Sequence, residues 1–292
     1  MPSADQLLSA FLSGLGIGGL FAVVALGLSL VFGVMKLMNL AHGEFIVLGG
    51  YVAFYLSQWI GLDPLLGMLV AAVVCAAIAF PLQQWGLNPV MSRGVEAPLL
   101  ITFGVSVLLQ NVFVLAFCAD VRSLSASYAQ ANVPIFGVRI PVIYIICLAI
   151  ALVLLLATHF ILTRTGFGRS LRASSEDAVA AAVMGVNVNR VYALTYAFAA
   201  GSAAIAGALV GLAFSFAPVT GVTYLVTGFA VVVLGGVGSI KGTLIGGLLL
   251  GVIESVVAAF VGDGWRVFIG CVVVLIVLSI RPQGIFGRAE AH

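Results

Sequence analysis

The longest stretches of this chain without a charged side chain decide which folds are open to it. Between Asp5 and Lys36 every residue is uncharged, and further apolar runs of about 20 residues follow along the chain. A helix of that length spans the ~30 Å hydrocarbon core of a bilayer. Only 8% of the residues are charged, against about 25% in soluble domains. We therefore predict an all-α polytopic membrane protein.

The apolar runs predict nine spans that form a single transmembrane domain over residues 1–292. The first run is expected to be a retained span, because residues 1–6 carry no Lys or Arg and the run is too long for a signal peptide. If the first run hides two half-spans, or if the region Val34–Gly50 re-enters the membrane, the count becomes eight or ten and the N-terminus changes side. The expected total is therefore about 8–10 transmembrane helices. The predicted spans are residues 7–34, 43–60, 64–86, 97–118, 141–163, 189–215, 222–238, 243–261 and 266–280.

The distribution of Lys and Arg predicts the orientation, because these residues concentrate on the cytoplasmic side. With the loop Arg164–Arg190 placed inside, nine of the 12 Lys and Arg residues lie inside. The remaining three, Arg122, Arg139 and Arg266, lie outside. This bias predicts an external N-terminus and an internal C-terminus.

The segment Val34–Gly50 places Lys36, Asn39, His42 and Glu44 between two apolar runs. An ionisable side chain at membrane depth costs at least about 2.5–3.5 kcal/mol, so such groups face protein or water. The segment is either a cytoplasmic turn in water or a broken, re-entrant stretch that lines an internal cavity. The second is favoured because apolar residues resume directly after Glu44. Asn39, His42 and Glu44 are therefore candidates for a translocation pathway.

Polar side chains also lie inside predicted spans. Glu254 is in the middle of span 243–261, and a carboxylate at that depth is a functional candidate. Two roles are open for it: lining the pathway, or hydrogen-bonding a neighbouring helix while neutral. Gln110 and Asn111 are expected to make contacts between helices.

The loop at about residues 164–190 is the longest charged connection. Ser174 or Ser175 can cap a short helix, with Glu176 and Asp177 in its first turn. The alanines that follow favour a helix, and Gly185 is placed to end it. A helix of this kind is suited to docking a partner, although a solvated connecting loop is the alternative. Loops that serve only to connect two helices are usually shorter than this segment.

Several sites are excluded by their sequence patterns. Gly236–Thr243 resembles a phosphate-binding loop, but Ile240 stands where the Walker pattern requires glycine before Lys241. His42 and Glu44 lack the nucleophile or third ligand that a reaction or a metal would need. We predict no catalytic residue, no metal site and no ATP site in this chain, and its net charge of +2 gives no indication of nucleic-acid binding.

Four separated motifs, in the same order, resemble those of the bacterial high-affinity branched-chain amino acid ABC importer permeases, specifically the H-type subunit of the Liv family. The resemblance covers nearly the whole chain. The motifs are NLAHGEF at residues 39–45 followed by LGGY at 48–51, TGFGRSLRA at 165–173, GGVGS at 235–239, and RPQGIFG at 281–287.

The resemblance implies the ABC importer fold of the larger-permease class, in a multi-pass protein of the bacterial inner membrane. Such a permease imports Leu, Ile or Val by alternating access after a periplasmic binding protein delivers the substrate. Its other partners are a second, M-type permease, membrane lipid and two cytoplasmic ATPase subunits. ATP and Mg enter only through those ATPases, so this chain binds no cofactor itself.

The resemblance also assigns the segment at about 164–190 to ATPase coupling. The match to the importer consensus E-A-A-x-x-x-G is loose, because Val179 rather than Glu stands six residues before Gly185. The surface is therefore assigned to the segment as a whole, and its candidate residues are Arg172, Glu176, Asp177, Ala181 and Gly185.

Two alternatives remain open at this stage. Permeases for urea, short amides or other amino acids share the same signature. A proton-coupled secondary transporter would use His42, Glu44 or Glu254 as a relay, and it would show inverted repeats with paired interrupted helices.

Overall fold

The computed structural model describes residues 3–94, 96–129, 131–135, 137–281 and 284–286. Each of the nine predicted spans corresponds to a helix, and two shorter helices lie in the charged loop. The helices are α1 (Ala4–Met35), α2 (His42–Ile60), α3 (Pro64–Pro81), α4 (Glu96–Phe117), α5 (Val142–Arg164), α6 (Gly166–Glu176), α7 (Ala178–Val183), α8 (Val188–Ala213), α9 (Gly221–Gly235), α10 (Ile240–Val261) and α11 (Arg266–Ile280).

Seven helices among the described residues are long and apolar enough to cross a membrane. They are α1, α4, α5, α8, α10, α3 with its continuation to Met91, and α9 with the turn before it. Helix α11 is a shorter apolar helix of 15 residues, and α2 has 19 residues with ionisable groups in its first turn. The prediction of a polytopic helical membrane protein is confirmed.

The polar loop between α4 and α5 contains a hairpin that the sequence analysis did not predict. Strand β1 (Asn132–Ile135) pairs antiparallel with β2 (Val138–Pro141), with Asn132 opposite Pro141. The Tyr128 hydroxyl of this loop donates a hydrogen bond of 3.0 Å to Asp63, just before α3. The loop and the α2–α3 turn therefore lie at the same end of the bundle.

Helix α1 is the central helix, and its glycines let three neighbours reach its backbone. A Cβ added at Gly18 would lie 2.7 Å from the Gly247 carbonyl oxygen on α10. One added at Gly19 would lie 2.8 Å from Leu148 Cα on α5, and one at Gly27 would collide with α8. Close backbone approach of this kind is the usual role of small residues in membrane bundles. It leaves α1 buried along most of its length.

Helices α2 and α9 both begin inside the bundle. The His42 Nε2 atom, in the first residue of α2, lies 2.9 Å from the Val24 carbonyl oxygen, about three helical turns before α1 ends. Gly221, the first residue of α9, packs directly against Gly43 and Glu44. These internal helix starts are preceded by residues 36–41 and by residues 214–220, which include one 3₁₀ turn at Pro218–Thr220. Irregular backbone is tolerated at such depth only within protein or beside water.

The two interrupted helices run in opposite directions from this meeting point. Helix α2 ends near the loop that carries Tyr128, at the N-terminal end of α1. Helix α9 ends where Gly238 packs against Gly33, near the C-terminal end of α1. The segment Val34–Gly50 is therefore a broken segment within the bundle, and the alternative of a solvated turn is wrong for its ionisable residues His42 and Glu44, which are 0% and 1% exposed.

Candidate functional site

Asn39 ties the break between α1 and α2 to helix α8. Its Oδ1 atom accepts a hydrogen bond of 3.1 Å from the Ala41 backbone N–H. The same atom accepts a hydrogen bond of 3.0 Å from the Tyr196 hydroxyl of α8. Both side chains are buried, so these bonds compensate for lost hydration of the polar groups. A shift of α8 would act directly on the start of α2.

His42 occupies the space that Gly27 leaves between α1 and α8. A Cβ on Gly27 would lie 2.8 Å from His42 Cε1 and 2.7 Å from the Ser202 hydroxyl oxygen. The His42 Nε2–H donates to the Val24 carbonyl, whereas Nδ1 has no hydrogen-bond partner among the described residues. The imidazole is therefore held at one nitrogen and available at the other.

Glu44 lies where α2, α4 and α9 meet. Its Oε1 atom accepts a hydrogen bond of 3.4 Å from the Ser106 hydroxyl of α4. Its carboxyl group packs against Gly221, where an added Cβ would lie 2.8 Å from Oε1. A carboxylate beside a helix N-terminus complements the helix dipole, so Glu44 stabilises the internal start of α9. The second oxygen, Oε2, has no hydrogen-bond partner in the described part of the chain.

Glu254 lies elsewhere in the bundle. It is 6% exposed on α10, and its Oε1 atom packs against Gly270 of α11. Asn39, His42 and Glu44 form one group around the start of α2. Among the described residues, Glu254 makes no hydrogen bond to this group and packs instead against α11. The roles of these four residues in translocation remain predictions.

Glu254→Gln distinguishes a packing role from a pathway role. Glutamine keeps the size of the side chain and its hydrogen-bonding oxygen, so we expect assembly to be preserved and uptake to change less than about twofold if α10–α11 packing is the role. The measurement is initial uptake rate against the amount of assembled complex. A loss of tenfold or more in an assembled complex would contradict the packing role.

The charged loop forms two short helices rather than one. The Thr165 hydroxyl caps α6 by accepting from Gly168 N at 3.1 Å, and the Arg172 guanidinium donates to the Leu162 carbonyl of α5. Helix α7 is capped by Asp177, whose Oδ1 atom accepts from Val179 N at 2.8 Å and from Ala180 N at 3.0 Å.

The predicted capping residues were therefore wrong. Ser174 is buried within α6, and the Ser175 hydroxyl donates to the Arg172 carbonyl. Glu176 ends α6 and is not in the first turn of the next helix. The backbone of Asp177 is extended, with φ −148° and ψ 106°, which separates the two helices.

The predicted end of the second helix is confirmed. Gly185 has φ +87°, a left-handed conformation that favours glycine. The backbone N–H of Gly185 donates to the Ala182 carbonyl at 3.0 Å, and that of Val186 donates to the Ala181 carbonyl at 3.0 Å. Ala181 is buried, so one side of α7 packs against the protein.

The other side of α7 presents an apolar surface that the sequence analysis missed. Val179, Val183 and Met184 are 75%, 82% and 84% exposed, and we call these three residues the α7 knob. The knob lies beyond the ends of α5 and α8, outside the membrane-spanning helices. Contiguous apolar side chains exposed to water indicate an interaction site. The four-residue spacing of Val179 and Val183 was the available sequence signal.

Comparison with known protein families distinguishes an ABC importer permease from a secondary transporter. The model of the family described as branched-chain amino acid transport system, permease component, matches residues 10–278. This chain belongs to that family. The permease is thus a transport subunit and a multi-pass protein of the inner membrane, as the four motifs indicated.

Relatives with assigned names are similar to this permease along nearly its full length. The permease is 31% identical to the high-affinity branched-chain amino acid transport system permease protein BraD of Pseudomonas aeruginosa, over 100% of this chain and 99% of BraD. It is 30% identical to LivH of Escherichia coli, with 98% and 97% of the two chains covered. It is also 25% identical to LivM of Escherichia coli, over 91% of this chain and 67% of LivM.

Proposed function

We propose that this permease imports branched-chain amino acids, with Leu, Ile and Val as substrates, as a subunit of an ATP-driven importer. The observation that carries the proposal is the full-length similarity to BraD and LivH, both named as high-affinity branched-chain amino acid permeases. A periplasmic binding protein would supply the affinity for the substrate. The permease would then need only to alternate between states open to either side of the membrane.

A second permease and two ATPase subunits complete the proposed importer. The similarity to LivM, a second kind of permease from the same named transport system, supports an M-type paralogue as the pore partner. The α7 knob supports docking of an ATPase, because its exposed apolar side chains lie at the end of the molecule where the basic loops concentrate. ATP and Mg would be bound by the ATPase subunits.

Contacts between neighbouring elements support a coupling route from the α7 knob to the helix break. Arg172 binds α6 to the end of α5 through the Leu162 carbonyl. Helix α7 buries Ala181 and contacts both α6 and α8. The Tyr196 hydroxyl of α8 then bonds Asn39 at the α1–α2 break. Closure of the ATPase dimer would displace α7 and shift this connection, which moves His42 and Glu44. ATP can drive such a change because it binds the two states with different affinity.

The interrupted helices also bear on the secondary-transporter alternative. Helices α2 and α9 start inside the bundle and run apart, a feature that was expected of such a transporter. The same feature serves any permease that moves around an internal site. The family match favours the ATP-driven importer.

Mass spectrometry of the complex, purified gently from native membranes through a tag on this chain, tests the proposed assembly. We expect two ATPase chains and a second permease to accompany the tagged chain. Recovery of this chain alone, able to take up leucine in proteoliposomes without ATP, would establish the secondary transporter instead.

A further inference from the structure

A cavity of about 560 Å³ opens at the end of the bundle opposite the α7 knob. Its walls come from the first turns of α1, the β-hairpin, the start of α5, the end of α10 and the start of α11. Because the coupling segment lies at the cytoplasmic end in the proposed importer, this cavity faces the outside. Its volume is within the range of sites for small molecules, about 300–1,000 Å³.

The cavity contains two cationic side chains, Arg139 of the hairpin and Arg266 of α11. The Arg139 side chain is exposed and makes no hydrogen bond or ion pair within the described residues. A guanidinium presents N–H groups in a fork that matches the two oxygens of a carboxylate. Arg266 also interacts electrostatically with Glu254, so it is chiefly the guanidinium of Arg139 that favours an anionic group in the cavity.

A buried hydroxyl provides a second, independent indication of a ligand. Ser255 of α10 lines the cavity, is 5% exposed, and its Oγ atom has no hydrogen-bond partner among the described residues. A buried polar group without a partner is destabilising, and an oxygen of a bound ligand would satisfy it.

The remaining walls suit the rest of an aliphatic amino acid. Gln6, Ser9 and Asn132 offer oxygen acceptors for an ammonium group. Ile17 and Ala258 form an apolar surface for a branched side chain. We propose that this external cavity binds a free branched-chain amino acid, with its carboxylate held by Arg139 and Arg266. The identity of the ligand rests on the proposed function.

The floor of the cavity is closed in this structure. Gly14 of α1 packs against the α10 backbone, where an added Cβ would lie 2.8 Å from Val252 Cα. Gly16 of α1 packs equally closely against Tyr144 of α5. The cavity is thus open to the outside and sealed from within, as a capture site must be before the transporter changes state.

Equilibrium binding to the purified complex in nanodiscs, without nucleotide or binding protein, tests this site. The probes are L-leucine, L-leucinamide, which lacks the carboxylate, and 4-methylpentanoate, which lacks the amine. We expect saturable binding of leucine, and affinity for leucinamide at least about tenfold lower, since a hydrogen bond to a charged group is lost. Binding of 4-methylpentanoate is expected to depend on Arg139 in the same way as binding of leucine.

Arg139→Gln is expected to lower the affinity for leucine about tenfold or more, and Arg139→Lys is expected to lower it less. The matched control is Arg122→Gln, which removes a positive charge from the same loop. Arg122 pairs with Asp120 at 3.0 Å and does not line the cavity. The control is expected to bind leucine with wild-type affinity.

The proposal is overturned if the wild-type complex shows no saturable binding of leucine or if leucinamide binds as well as leucine. It is also overturned if Arg139→Gln and the control Arg122→Gln lower the affinity for leucine equally. Uptake driven by ATP and loaded binding protein is measured in parallel. Normal uptake without leucine binding would reject the cavity while leaving the proposed function intact. Absence of ATP-driven uptake would instead reject the proposed function.

Discussion

Replacing Gly207 with leucine is expected to abolish recovery of the folded permease. Gly207 lies on α8 where that helix crosses α2, and a Cβ at this position would collide with the Ile46 carbonyl oxygen and lie 2.8 Å from Gly50 N. Both neighbours are backbone atoms, so the clash cannot be relieved by rotating a side chain to another rotamer. Overpacking of a core costs about 1–3 kcal/mol, or more where it forces backbone shifts. To accommodate the leucine, the backbones of α2 and α8 would have to separate. The start of α2, which includes His42, would be displaced with them.

Gly104 provides the matched control for this change. It is also a glycine within a membrane helix, on α4, but no heavy atom lies within 4 Å of its added Cβ. Gly104→Leu is expected to give wild-type yield and thermal stability. The measurement is monodisperse protein recovered from membranes, with its midpoint of thermal inactivation. Wild-type yield and stability for Gly207→Leu would contradict the close α2–α8 contact.

Val183→Asp is expected to reduce coupled uptake about 100-fold while leaving the permease inserted and folded. Val183 is 82% exposed, so the substitution disturbs no internal packing. If the α7 knob is buried by an ATPase, the new carboxylate loses its hydration there without gaining a partner. An unpaired buried charge costs about 3–5 kcal/mol, and each 1.4 kcal/mol weakens binding tenfold.

Val133→Asp is the control for the α7 knob. Val133 is an exposed valine of the β-hairpin, at the opposite end of the bundle, and its substitution adds the same charge. Uptake and the amount of co-purified ATPase are measured for both variants. Wild-type uptake and ATPase recovery in Val183→Asp would reject the knob as the docking surface.

The nine helices could be predicted because each falls in a mostly apolar run between polar or glycine-rich breaks, which is a property of the local sequence. The break before α2 was also predictable, because Lys36, His42 and Glu44 interrupt apolar sequence. A boundary before α9 was predicted between spans 189–215 and 222–238, but nothing indicated that it lies inside the bundle, since residues 214–220 contain no charge. Its position depends on the contact of Gly221 with Glu44, which is remote in sequence.

The coupling helices show a different limit. Ser174, Ser175 and Asp177 are all good capping residues, and local preference does not choose among them. Burial of Leu171 and Ser174 keeps both residues within α6, which leaves the cap of α7 to Asp177. Likewise, the sequence could not show that Glu254 faces α11. A membrane helix is apolar on all sides, so its sequence does not distinguish the side that packs against protein from the side that faces lipid.

The measurement that tests the central claim most directly is leucine uptake into proteoliposomes containing the purified complex of this permease with its partners, supplied with loaded binding protein. We predict uptake against a gradient that requires ATP and Mg on the ATPase side and stops when the binding protein is omitted. Uptake of equal rate without ATP, driven by a proton gradient, would contradict the ATP-driven importer.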